Sequence, residues 1–517
     1  MPKERTVKTV VKTARPHFGA DALDRISWST GPRRGNSSNP HQLTGVIQNC
    51  RGLGELARIL QEQRGVLDHM HVAAAWVSLV KLGTDQGVAE VREVVGVLEE
   101  KTRGVLGEMD GPGIANVMHS LAHLHKSRFV DAMNLGESAE GLLDAMCGRA
   151  LATAKWFEPH HVAMVLWALS TMGVTAATAD RGLLEALQKR ATATAGWFRA
   201  QNVANLLWAL ATMEERVDRT LLGAMQRRAT ATAGEYTPRD VANVLWALAT
   251  MVERVDRGLL QAMQERVTAT AGDYNPQDIA NVLWALATMG EEADRGLLQA
   301  LQWRTAATVG KFAPQNVANV LWALATMGWG LDASEGVLID RLAARVLEFR
   351  HKFTQRAKSQ LHQWLLSCQL DLVSDASLPS GVARVKLEMG EECLQAFSGW
   401  AMHESRFQRD VALALGAGGS ELEIEEEYRD ARSGYSIDIL VRRRSAAGSS
   451  EWAVEVDGPF HFLGDGRTPS GSTLLKRKQL RQLGYKVVPV PFWEWDAARG
   501  DVAKRLYLAD KFKERTN

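Results

Sequence analysis

Val203-Ala-Asn-Leu-Leu-Trp208-Ala-Leu-Ala-Thr-Met213 returns as Val241-Ala-Asn-Val-Leu-Trp246-Ala-Leu-Ala-Thr-Met251 and again as Ile279-Ala-Asn-Val-Leu-Trp284-Ala-Leu-Ala-Thr-Met289. With Trp167 and Trp322 the indoles are separated by 41, 38, 38 and 38 residues. A fixed period in this range belongs to a stacked array of one supersecondary unit rather than to a closed globule. The copies can therefore be compared with one another inside a single sequence.

The copy from Tyr236 to Asp273 sets out the unit. Thr237 can cap a helix and Pro238 suits its first turn, where a missing N–H costs nothing. Val241, Val244, Leu245 and Leu248 then recur at helical spacing as one apolar stripe. Asp256 caps a second helix whose stripe is Leu259, Leu260 and Met263, and the Gly272 region ends the unit. The spacing predicts a helical hairpin. Ala242, Trp246 and Ala249 share a second face of the first helix, suited to close packing on a neighbouring hairpin. A base-stacking role is the other reading of the Trp series, and strict repetition favours the core.

The polar positions of the first helix carry the candidate recognition residues. Asn205, Asn243, Asn281 and Asn319 repeat unchanged. Two positions near the helix start vary together: His160-His161, Gln201-Asn202, Arg239-Asp240, Gln277-Asp278 and Gln315-Asn316. Helical spacing places positions 202 and 205, with Thr212 further along, on one exposed side. Side chains of this kind in successive repeats suit the reading of base edges in single-stranded RNA. Helix capping on a solvated face is the alternative.

Looser copies reach upstream, through Ile114-Ala-Asn-Val-Met-His119 and Val72-Ala-Ala-Ala-Trp76, to about Leu43. Downstream, Ala357 to Trp364 resembles a polar terminal copy. The expected division is a basic arm or targeting segment over 1–40, the α-helical array over 41–370, a linker and connecting helix over 371–403, an α/β domain over 404–511 and a tail over 512–517. In the α/β domain, Tyr435-Ser-Ile-Asp-Ile-Leu-Val and Trp452-Ala-Val-Glu-Val-Asp read as strands. Leu474 to Leu483 is a basic helix, and Lys486-Val-Val-Pro-Val-Pro is a strand whose prolines indicate an edge strand or the strand's end.

The sequence Asp438…Glu455-Val-Asp457-Gly-Pro-Phe-His461-Phe, followed by Leu475-Lys-Arg-Lys…Leu483-Gly-Tyr-Lys and Trp493-Glu-Trp495, resembles a RAP domain. The array before it is similar to the octotricopeptide and FAST-kinase-like helical repeats that precede RAP domains, without the Pro-Pro-Pro-Glu-Tyr-Trp opening of the former. This resemblance implies a soluble organellar protein, in the mitochondrial matrix or alternatively a plastid. Its implied partner is single-stranded RNA, alongside other RNA-processing proteins, and its role lies in RNA processing, stability or translation. RNA binding of this kind needs no cofactor.

RAP domains are also similar to the restriction-endonuclease-like fold, which implies a rival reading as a magnesium-dependent endoribonuclease. Asp438, Glu455 and Asp457 would hold the metal, with His461 and Lys476 on the phosphate. The chain departs from the nuclease pattern by placing Asp457 where a lysine is expected. The alternative for this domain is RNA binding through Lys476, Arg477, Lys478 and Arg481.

Composition sets bounds on these readings. The chain has 517 residues and a net charge of +1, so any basic surface must be segregated, with Lys189-Arg190 and Arg227-Arg228 as candidates. That near-neutral charge also favours a protein-interaction scaffold as a further alternative. No apolar run has transmembrane length, and no secretory signal is evident. Cys50, Cys147, Cys368 and Cys393 are scattered without a CxxC pair, which points to a reducing interior and away from zinc. The first 34 residues carry eight Lys and Arg against three acids, a partial match to a transit peptide. No phosphate-cradling glycine loop supports kinase chemistry.

Overall fold

The computed structural model describes residues 40–83, 88–127, 137–291, 293–328, 336–371, 378–400, 405–417, 422–445 and 448–513. The expected arm before Pro40, the centre of the expected linker and the last residues of the tail lie outside them. Two compact units are present, Met1–Ala247 and Leu248–Asn517.

The first unit contains α1 (Pro40–Gln48), α2 (Leu53–Glu62), α3 (His69–Gly83), α4 (Val88–Val105), α5 (Gly111–Lys126) and α6 (Glu137–Thr153). It continues through α7 (Pro159–Thr171), α8 (Arg181–Ala193), α9 (Ala200–Thr212) and α10 (Arg219–Ala231) into α11 (Pro238–Thr250). The odd-numbered helices from α1 to α9 pack on one another in series, and the even-numbered helices from α2 to α10 form a second layer. In the second unit, α12 (Arg257–Thr270), α13 (Pro276–Met289), α14 (Arg295–Thr308), α15 (Pro314–Thr326), α16 (Gly336–Glu348), α17 (Gln355–Leu370) and α18 (Ser380–Ser398) repeat the arrangement. Helix α18 packs on both α16 and α17. It is the second helix of a last hairpin, so the array runs on through the segment expected to connect two domains.

The repeated residues explain the repeated shape. Asp180, Asp218, Asp256 and Asp294 each cap a second helix, accepting from the N–H groups two and three residues on. A recurring arginine then closes each hairpin. Arg190 Nε donates to the Phe157 carbonyl, Arg228 Nε to that of Phe198 at 2.6 Å, and Arg304 Nε to that of Tyr274 at 2.7 Å. Arg190 and Arg228 are therefore tied to their own hairpins and do not form the open basic face expected of them. Neighbouring second helices are joined by glutamines: Gln188 Oε1 accepts from the Asp218 N–H and Gln264 Oε1 from the Asp294 N–H. The phased indoles, from Trp167 through Trp322, are all at most 5% exposed. They form the core between first helices.

The second unit also holds the α/β domain: α19 (Arg406–Gly416), β1 (Leu422–Arg429), β2 (Ser436–Ser445), β3 (Gly448–Asp457), α20 (Gly471–Gln482), β4 (Lys486–Pro491), α21 (Phe492–Ala497) and α22 (Asp501–Lys513). The sheet order is β1-β2-β3-β4, with antiparallel pairs except for the parallel β3–β4 pair. β4 is an edge, consistent with prolines that cannot donate to a further ladder. One sheet face packs on α19, α21 and α22 through Val411, Val454, Val488, Trp495 and Leu508. The other carries Ile437, Leu440, Leu480 and Val487, with Leu366 of α17 in the same cluster.

That shared cluster shows that the α/β domain is seated on the array. Helix α20 lies against α13, α15 and α17. Gln363 Nε2 donates to the Tyr435 hydroxyl, which donates to Gln479 Oε1, while Gln479 Nε2 donates to Ser367 Oγ and the Gln363 carbonyl. The loop before α20 is held too: the Gly464 N–H donates to the Val252 carbonyl at 2.7 Å. Val252, in the turn just after α11, has φ at +59°, a left-handed conformation costly for a β-branched residue. The closest approach is at Gly471, where an added Cβ would lie 1.6 Å from the Ala287 carbonyl oxygen.

Gly471→Ala is therefore expected to push α20 off the α13 end and to destabilise the seated domain by at least about 1–3 kcal/mol, the usual range for overpacking. Thermal unfolding of the full chain and protease sensitivity of the segment after residue 400 measure this. An unchanged melting profile would contradict the seating.

Candidate nucleic-acid interface

The first helices α7, α11 and α13 begin with a capping turn, and this limits what their variable pairs can do. The second member of the pair sits at the third helical position, where a side chain can reach back to the helix start. Asp240 Oδ2 accepts from the Thr237 N–H at 3.1 Å and from its hydroxyl at 2.7 Å. His161 Nδ1 likewise accepts from the Glu158 N–H at 3.2 Å. Asp278 and Asp240 are buried, whereas Asn202 and Asn316 are half-buried. The first member faces outward more: Gln201 is exposed, and Arg239, Gln277 and Gln315 are half-buried.

The invariant asparagines are not on an exposed side. Asn243, Asn281 and Asn319 are buried and Asn205 is half-buried. In the last hairpins the reason is visible. Gln315 Nε2 donates to Asn319 Oδ1 and Gln360 Oε1, both at 2.9 Å, and Gln360 Nε2 donates to Asn319 Oδ1 at 3.1 Å. This amide network joins α15 to α17. Thr212, expected beside the asparagines, is also half-buried. Helical periodicity implied an exposed common face and could not tell that α17 covers Asn319.

The α/β domain gathers Asp438, Glu455, Asp457, His461, Lys476 and Arg477 into one charged cluster. Asp438 lies within β2, between Ile437 and Ile439, which pair with β1, and its Oδ2 accepts from the Val456 N–H at 2.7 Å. Glu455 and Asp457, two residues apart on one face of β3, are 2% and 1% exposed. Lys476 pairs with Glu455, and Arg477 pairs with Asp457. His461 Nδ1 stands 3.3 Å from Asp457 Oδ1. Burial raises the Glu455 carboxyl well above the ordinary range; Lys476 opposes the rise, and Asp438 and Asp457 add to it. Burial also raises Asp457, against Arg477 and His461.

This donor set does not fit a hard divalent cation. Each β3 carboxylate already faces a cation from α20, Asp438 holds a backbone N–H, and His461 is the nearest other group. One oxygen of each acid, Glu455 Oε1 and Asp457 Oδ1, has no hydrogen-bond donor. Even so, among the described residues no group of three or more His, Cys, Asp or Glu side chains is placed to hold a metal. The arrangement acts as a double ion-pair lock that fixes α20 to β3.

The basic helix is likewise turned inward. Lys476 and Arg477 face β3, Lys478 reaches Asp371 at 3.4 Å, and Gln482 donates to the same carboxylate at 2.7 Å. Arg481 is exposed. The cationic run thus joins the domain to itself and to α17 rather than forming an open phosphate track. The sequence reading missed Gln363, Tyr435 and Gln479, the neutral polar residues that complete the seat. A glutamine within a cationic helix was their one available signal.

Glu455→Ala leaves the Lys476 ammonium without its buried partner and is expected to cost about 3–5 kcal/mol. The double variant Glu455→Gln/Lys476→Met should recover most of that loss. Unfolding of the full chain followed at β3 and α20 measures both. A double variant no more stable than the single would contradict the lock.

Comparison with known proteins places these parts. Residues 454–511 match the RAP domain. Residues 217–332, which include α10 to α15, match the RNA-editing substrate-binding complex 6 protein family, and residues 179–207 match a family of proteins of unknown function. A RAP domain-containing chloroplastic protein of Oryza sativa subsp. japonica is 31% identical over 104 residues, covering 20% of this chain and 15% of that protein. The shared part is thus a small fraction of the relative. With its sheet, its α20 and the hairpins beneath them, the chain carries a C-terminal RAP domain behind an array of helical repeats.

Proposed function

We propose that this chain binds single-stranded RNA along its repeat array and acts in organellar RNA processing, stability or translation. The observation that carries this reading is that two independent parts of the chain resemble RNA-associated families. The RAP match falls on the α/β domain, and the RNA-editing substrate-binding match falls on the repeats. The chloroplastic relative supports an organelle, in a plastid or in mitochondria. Other RNA-processing proteins are expected as partners. Among the described residues no helix is long and apolar enough to cross a membrane.

Base selection in this account rests on the first-turn positions Gln201, Arg239 and Gln277 with Asn202 and Asn316 beside them, while Gln315 gives its amide donors to Asn319 and Gln360. Asn205, Asn243, Asn281 and Asn319, together with Asp240 and Asp278, shape the helices that present those positions. The RAP domain acts as a rigid terminal body, its acids and bases held by one another, and the reading invokes no cofactor.

Retention of a random single-stranded RNA pool by the purified full chain, with magnesium or EDTA, tests the proposal. Intact RNA should be retained, with affinity falling roughly tenfold or more between about 50 and about 200 mM salt, as release of a few counterions requires. Absence of retention at low salt would overturn the reading and favour a peptide-binding scaffold. Magnesium-dependent fragments lost in Asp438→Asn would replace it with a nuclease.

A further inference from the structure

The phased indoles are core, yet Trp156 and Trp197 stand 71% and 74% exposed. They are 41 residues apart and hold the same place in successive hairpins. Each is the last residue of a 3-10 turn, Ala154–Trp156 or Ala195–Trp197, that leads into a first helix, α7 or α9. Those two helices pack side by side, at the roughly 8–10 Å separation of contacting helices, so the two rings occupy neighbouring steps of one rim.

The turn itself does not require an aromatic ring there. Its equivalents in later units end in Glu235, Asp273 and Lys311. Each turn is anchored by the residue that follows, since Phe157 and Phe198 are fully buried and their carbonyls receive the hairpin arginines. An exposed ring on a fixed base gains nothing for the core, and such exposure is informative about binding. Each ring has a cationic residue within two positions in the chain. Lys155 Nζ lies 5.0 Å from the Trp156 ring centroid, and exposed Arg199 follows Trp197. Arg199 is close enough to act on the His160 imidazole of the preceding hairpin, which also sits 3.5 Å from Glu158. The residues beside the rings in the chain include Lys155, Glu158, His160 and Arg199, a polar setting unlike the continuous apolar patch that a protein partner would bury.

We propose that Trp156 and Trp197 form a two-ring stacking site for unpaired bases of single-stranded RNA, with Lys155 and Arg199 meeting the flanking phosphates. This rests on the RNA-binding reading above and gives it a location. Base–aromatic stacking tolerates any sequence. The site would supply affinity, and Gln201 on the adjoining first turn would contribute selection. The later units, with Glu235, Asp273 or Lys311 at the same place, would hold RNA differently.

The test uses the full chain and fluorescently labelled single strands of about 20 nucleotides, room for more than one protein–strand contact, with an abasic strand of equal length. Trp156→Ala/Trp197→Ala should weaken binding of the normal strand roughly tenfold or more, while Trp156→Phe/Trp197→Phe should retain most of it. Trp303→Ala removes a ring that is 63% exposed on α14 and should leave binding unchanged. The abasic strand should bind the wild type more weakly and lose nothing further in the double-alanine variant. Equal binding of the normal strand by wild type and double-alanine variant would overturn the stacking site and leave the RNA reading standing. Equal losses on normal and abasic strands would also overturn it. Absence of wild-type binding at low salt would overturn both, and circular dichroism of each variant verifies that the array is folded.

Discussion

A helical hairpin of this length cannot bury its own apolar face; only the next hairpin can cover it. That constraint governs what repeats in the chain and what varies. Alanines let first helices approach, one indole per unit fills the space between them, and the asparagine of each unit is drawn into the same seam. The capping aspartates and the hairpin arginines repeat for the same reason, because every unit must begin and close alike. Variation is left to the rim, at the turns entering the first helices. Recognition by this array therefore belongs to its rim.

The end of the array poses the opposite problem, since its last hairpins have a surface that no further hairpin covers. The RAP domain is the neighbour there. Helix α20 works on two sides, holding β3 through Lys476 and Arg477 and meeting α17 through Gln479, Lys478 and Gln482. At Gly471 it approaches α13 too closely for any side chain. The carboxylates that resemble a metal centre in the sequence thereby gain a mechanical role. Two buried acids need two cations, and α20 supplies them while presenting its other side to the array.

The sequence made the array legible because its period is set by packing, and packing repeats. Thr237, Asp256 and the stripe from Val241 to Leu248 all occupy the places their spacing implied. The strands around Asp438, Glu455 and Asp457 and the edge position of β4 were equally readable from alternation and proline. What spacing could not convey was coverage. Asn319 shares a face with residues that are only partly covered, and its burial is decided by Gln360 of α17, 41 residues away. Lys476 and Arg477 look like a solvated cationic run until β3 is placed opposite. Trp156 and Trp197 escaped notice because their spacing matched the array while their neighbours did not. Their exposure emerged only in three dimensions.

Photo-crosslinking of 4-thiouridine-substituted RNA to the full chain, with mapping of the modified peptides, tests the central claim most directly. The account predicts crosslinks at the turns and first turns that open α7 and α9, around Trp156, Trp197 and Gln201. Crosslinks confined to α20, around Lys476 to Arg481, would contradict it.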